Sequence, residues 1–83
     1  MFKLESIVPN PATSQVTANY IADGANSAYL MVVSNTSGSS YNYIVDTSLN
    51  SIVIDISSYP SGLYEVILVA DGEEQASQTL VKQ

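Results

Sequence analysis

Residues 52–72 read IVIDISSYPSGLYEVILVADG, and the spacing of their apolar side chains decides the fold. Ile52, Ile54 and Ile56 fall on one side of an extended chain, with Val53 and Asp55 on the other. A repeat of two is the mark of a strand with one buried face. After the Ser57–Ser61 connection the same repeat resumes over Gly62–Ala70, setting Tyr64, Val66 and Leu68 against Leu63, Glu65, Ile67 and Val69. Asp71-Gly72 then closes the segment with hairpin-turn chemistry. Glu65 marks its own face as the wetter one. Ile67 and Val69 share that face, so cover from a neighbouring domain or from the chain's own termini is expected.

Working outward, the same period predicts five more strands. The first spans about Phe2–Val8 and is stopped by Pro9 and Pro11, which cannot donate to a ladder. The second runs near Gln15–Ala22, with Val16, Ala18 and Tyr20 inward, and ends at the turn Asp23-Gly24-Ala25-Asn26. The third, about Ser27–Ser34, is apolar on both faces, which predicts a central position in its sheet. Gly38 is expected to take positive φ in the following loop. The fourth covers roughly Ser40–Asp46, and the last, Glu73–Lys82, anchors Leu80 inside. Seven short strands separated by turn signals predict an all-β, seven-stranded, two-sheet immunoglobulin-like β-sandwich forming a single domain over residues 1–83. No window has helical periodicity, and there is no internal repeat.

Composition excludes several functions. Eight acidic residues face two lysines, with no arginine or histidine, for a net charge of −6. Such a surface repels phosphate backbones and anionic lipid headgroups alike. No nucleic acid is expected as a partner. No apolar run approaches the ~20 residues that span a bilayer, so no direct membrane insertion is expected. Met1–Glu5 lacks the apolar centre of a signal peptide.

Catalytic chemistry has nothing to start from. Without His or Cys there is no standard triad and no thiolate or imidazole metal site. Lys82 is expected to be solvated, as a penultimate lysine usually is. Asp71, Glu73 and Glu74 offer too few oxygens for calcium and read as a solvated turn. The reading is a non-enzyme without cofactor or metal. Asn35-Thr36-Ser37 matches a glycosylation sequon, for which chance is the plainer explanation. Six tyrosines raise the alternative of a sugar-stacking face. Tyr20, Tyr29, Tyr41 and Tyr43 lie on apolar stripes, however, where core positions are expected.

Taken in order along the chain, several short motifs form a further pattern. They are Pro9-Asn10-Pro11, the alternating Val16, Ala18 and Tyr20, then Val33-Ser34-Asn35 with Gly38 and Tyr41. Ile54-Asp55-Ile56-Ser57, Tyr59-Pro60-Ser61-Gly62, Tyr64-Glu65-Val66, Asp71-Gly72 and Leu80-Val81-Lys82 complete it. This succession resembles the C-terminal sorting domain of the type IX secretion system over about residues 4–83. Two steps depart from the family pattern: Ser34-Asn35 stands for an aromatic-Asp pair, and Tyr59 for the leucine before the proline. The basic residues usual near the glycine loop and the last strand are reduced to Lys82.

The resemblance implies a non-catalytic signal at the C-terminus of a larger secreted protein, from which residues 1–83 are expected to be excised. It implies recognition by the type IX translocon and, in many members, processing by a sortase-like surface peptidase. The attached cargo would lie upstream and reach the cell surface or the extracellular space. Pro9, Asn10, Pro11, Gly38, Pro60, Gly62, Tyr64 and Lys82 are the positions that carry the signature. Each also has a purely structural reading. The prolines stop a strand, Asn10 can bond its own backbone, and Gly62 supports a bend with φ above zero. Tyr64 is expected to bury its ring and aim its hydroxyl at a carbonyl in or beside Ser57–Ser61, as in a tyrosine corner. Capture by strand addition is expected at the first or last strand. The rival reading is a carbohydrate-binding or adhesive immunoglobulin-like module of a surface protein.

Overall fold

A computed structural model describes all residues, Met1–Gln83. Seven strands form in chain order: β1 Phe2–Val8, β2 Gln15–Ala22, β3 Ala28–Ser34, β4 Ser40–Ile44, β5 Ser51–Asp55, β6 Gly62–Ala70 and β7 Glu73–Lys82. They make two antiparallel sheets, ordered β1-β2-β5 and β4-β3-β6-β7. This is the expected all-β sandwich. The central place predicted for β3 is also found, between β4 and β6.

Period two fills the space between the sheets. Val16, Ala18 and Tyr20 of β2 meet Leu30 and Val32 of β3, Tyr64, Val66 and Leu68 of β6, and Leu80 of β7 in one apolar cluster. Val53 remains 60% exposed while Ile54 and Ile56 are buried, as the alternation requires. β1 breaks the rule in an informative way. Leu4 and Ile7 are both buried although three residues apart, because a bulge lets Glu5 stand as the extra residue between Leu4↔Tyr20 and Ser6↔Asn19.

Two expectations need correction. Tyr29 is not a core tyrosine: Ala28, Leu30 and Val32 take the inner face, so Tyr29, Met31 and Val33 are left half-buried on the outside. β4 stops at Ile44 rather than Asp46. The reason is local, since the Asp46 carboxylate accepts the Ser48 N–H at 2.8 Å and its hydroxyl at 2.6 Å, turning the chain away. Those bonds hold Asp46 below the usual carboxylate range, and the same arrangement with Ser57 does so for Asp55. The Asp71–Glu74 turn is exposed, as expected, and Asp71 also has a structural task. Its Oδ1 accepts the N–H groups of Asn26 and Ser27 at 2.8 and 3.2 Å, tying the β6–β7 hairpin to the β2–β3 turn.

Candidate recognition pole

Antiparallel pairing sends the β1–β2, β3–β4 and β5–β6 connections to one end of the sandwich, together with the end of β7. All eight signature residues belong to these segments or to the strand ends beside them. The opposite end holds the start of β1 and the acids Asp23, Asp46, Asp71, Glu73 and Glu74. The molecule measures 34 × 22 × 16 Å along its principal axes, so it has two chemically distinct poles.

At the signature pole Asn10 sits against the edge strand β7. Pro9 and Pro11 lack an N–H, so this stretch cannot pair as an ordinary strand. The Asn10 side chain supplies the missing amide. Its Nδ2 donates to the Thr79 carbonyl at 2.7 Å, and its Oδ1 accepts the Val81 N–H at 2.9 Å. One side-chain amide thus occupies the edge of β7 as a peptide group of a neighbouring strand would. Ala12 continues the pairing with its main chain: its N–H donates to Val81 O at 2.9 Å, and its carbonyl accepts the Gln83 N–H at 2.8 Å. The expectation that Asn10 bonds its own backbone is therefore overturned. A flexible amide flanked by two residues without donors serves an edge about seventy positions away in sequence.

Lys82 departs from expectation as well. It is only 8% exposed, because it shares the inward parity of Leu80 and lies between Gly62 of β6 and Ala12. Its stem packs at the end of the core, and Nζ donates to the Gln83 carbonyl at 3.0 Å.

Gly62 opens β6 directly opposite Lys82 with φ of +150°. A Cβ there would meet nothing closer than Thr36 Oγ1 at 3.8 Å, an ordinary contact. Space is not what requires glycine; backbone conformation is. Gly62→Ala is expected to lower stability by about 1–3 kcal/mol through strain alone. Urea unfolding with a lower midpoint and an unchanged slope would be the signature.

Thr36 belongs to the β3–β4 loop, whose Gly38 has φ of +76° and donates its N–H to Ser34 O at 3.0 Å. Asn35 N–H reaches across to Leu63 O at 3.0 Å. The Gly38 loop and the Gly62 bend are thereby held side by side.

Tyr64 behaves as a tyrosine corner: its ring is buried and its hydroxyl donates to the Pro60 carbonyl at 2.5 Å. Tyr59, which in sequence stands only in place of a leucine, has a larger part in the structure. It is 5% exposed, stacks on Tyr41 with ring centroids 4.3 Å apart, and lies 5.3 Å from Tyr64 at a tilt. Its hydroxyl is hydrogen-bonded to that of Tyr43. Half-buried Tyr41 and Tyr43 thus owe their placement to Tyr59. The one advance signal was their shared parity on β4.

Burial, then the Tyr43 hydrogen bond and the surrounding tyrosines, pushes the Tyr59 phenol well up. Burial also raises Tyr20, with help from Asp46, and Tyr64, with help from Tyr41. A phenol raised in the folded state favours folding below its unfolded pKa of about 10 and ceases to do so as pH climbs beyond it. The domain is expected to unfold cooperatively in alkali, with tyrosinate absorbance and loss of circular dichroism rising together. Gradual ionisation of these rings without unfolding would refute this.

No curated protein matches the chain. The family model described as the secretion system C-terminal sorting domain matches residues 6–83. That span takes in the Asn10 clamp, the Gly38 loop, the tyrosine corner and Lys82. The chain belongs to this family, the sorting signals of type IX secretion.

Proposed function

We propose that the pole built around the Asn10 clamp is the face that the type IX translocon reads. The supporting observation is the segregation of the two ends. Pro9, Asn10, Pro11, Gly38, Pro60, Gly62, Tyr64 and Lys82 gather at one end, while the chain enters β1 from the other. A cargo domain joined upstream of β1 leaves that pole unobstructed. The acids crowd the cargo end, so the reading face is the less negative of the two.

The sandwich acts without catalysis, as a folded address at the C-terminus of a larger secreted protein. A sortase-like peptidase would act in the chain ahead of β1, releasing the cargo to the cell surface or the extracellular space. This division of labour needs no reactive group inside the domain, only a stable shape.

The test is a fusion of residues 1–83 behind a periplasmic reporter in a bacterium with a working type IX system. The reporter is expected on the surface or in the medium. Folded variants altered at the signature pole should be retained in the periplasm, while folded variants altered at Asp23 or Glu74 should be exported. Equal export of both sets would reject the pole assignment. Periplasmic retention of the unaltered fusion would reject the sorting reading for this chain.

A further inference from the structure

We infer that β4 is a self-association edge, through which two copies of this domain pair antiparallel about Asn42. The two sheets present four edge strands, β1, β5, β4 and β7, and three carry a guard. β1 has a bulge at Glu5, the charges of Lys3 and Glu5, and the Gln78 side-chain amide donating to Leu4 O at 2.7 Å. β7 has its own bulge beside Val69, the acids Glu73 and Glu74, and the Asn10–Ala12 clamp. β5 carries the charged Asp55, whose backbone groups face its free side because those of Asn50 and Ile56 bond toward β2. These are the devices by which sheet edges avoid pairing with other chains.

β4 has none of them. Ser40-Tyr41-Asn42-Tyr43-Ile44 contains no charge, proline, glycine or bulge. Ser34 N–H bonds Ser39 O and Val45 N–H bonds Ala28 O, which fixes the alternation along the β3–β4 ladder. Ser39, Tyr41, Tyr43 and Val45 direct their backbone groups to β3, so Ser40, Asn42 and Ile44 direct theirs outward. The side chains of these three are exposed, and Ile44 at 88% is the most exposed large apolar residue of the chain.

The occupant follows from symmetry and charge. Outward residues at 40, 42 and 44 are centred on Asn42, so a two-fold axis there sets Asn42 opposite Asn42 and Ser40 opposite Ile44 of the second copy. Every free N–H and C=O of the strand then has a partner, and no like charges meet along the seam. With a net charge of −6, the uncharged β4 is where a second copy can approach with least repulsion. The rows continue inward from the seam as Ile44, Tyr29 and Val69, and as Asn42, Met31 and Ile67. The apolar outer face of the four-stranded sheet therefore becomes continuous across both copies.

Sedimentation equilibrium of residues 1–83 tests this. A monomer–dimer equilibrium is expected with a dissociation constant between about 1 μM and 1 mM, the range of a small seam. Added salt should strengthen it by screening the net charge. Asn42→Lys, at an exposed position, sets two lysines against each other and should abolish association, while Val53→Lys on β5 should leave it intact. In the unaltered chain, amide protons of Asn42 and Ile44 should become protected from exchange as concentration rises. A monomer at millimolar concentration would overturn the inference. So would a dimer that survives Asn42→Lys or is lost in Val53→Lys.

Discussion

Tyr59→Ala is expected to remove a large share of the domain's stability and bring its unfolding midpoint well below that of the unaltered chain. Removing a buried aromatic ring costs about 3–5 kcal/mol, and a chain of this length has only roughly 4–12 kcal/mol in hand. The loss is concentrated at one corner. Tyr59 supplies the ring on which Tyr41 stacks at 4.3 Å, the apolar neighbour of Tyr64, and the hydroxyl partner of Tyr43. Without it, β4 loses its hold on the β5–β6 connection. Tyr59→Leu restores the family pattern and most of the apolar volume, yet leaves the Tyr43 hydroxyl unpartnered and the Tyr41 stack gone. It is therefore expected to fold, with a loss of about 1–3 kcal/mol. Urea denaturation followed by circular dichroism separates the two. If Tyr59→Leu matched the unaltered domain, the tyrosine cluster would be incidental packing rather than a support of this corner.

That corner also shows how far the chain could be read before its structure. Most strands are legible because their apolar residues alternate, and alternation requires nothing beyond a buried face. Tyr64 was legible for the same local reason: its partner, Pro60, is four residues away. The bulge at Glu5 was not, since an extra residue in β1 is visible only once Leu4 and Ser6 are paired with Tyr20 and Asn19. A penultimate lysine is expected to be solvated; the burial of Lys82 depends on Ala12 pairing alongside the end of β7. Both faces of β3 are apolar, which leaves the parity of Tyr29 undecided until one face meets the opposing sheet. What the sequence withheld was long-range pairing, on which the Asn10 clamp and the burial of Lys82 depend.

The Asn10 clamp carries the other large expectation. Asn10→Ala removes two hydrogen bonds to β7 and leaves the Thr79 carbonyl and the Val81 N–H open to water. At about 0.5–1.5 kcal/mol per bond, the loss is roughly 1–3 kcal/mol, which a folded domain can survive. Exchange of the Val81 amide proton should accelerate well beyond that of neighbouring core amides. Asn10→Asp separates the two bonds. It keeps an acceptor for Val81 N–H but turns a charged oxygen toward the Thr79 carbonyl, so it is expected to be less stable than Asn10→Ala at neutral pH. Export should fall in both variants, since each unfastens the end of β7 from the pole on which the sorting reading rests. Opening that edge also exposes unpaired backbone at Thr79 and Val81, where a foreign strand can add. Increased aggregation of Asn10→Ala, relieved by Thr79→Lys on the same edge, would show that the clamp guards β7 in addition to shaping the pole. If Asn10→Ala exported the reporter at the unaltered rate while its Val81 amide exchanged freely, the translocon would be reading something other than the clamped end.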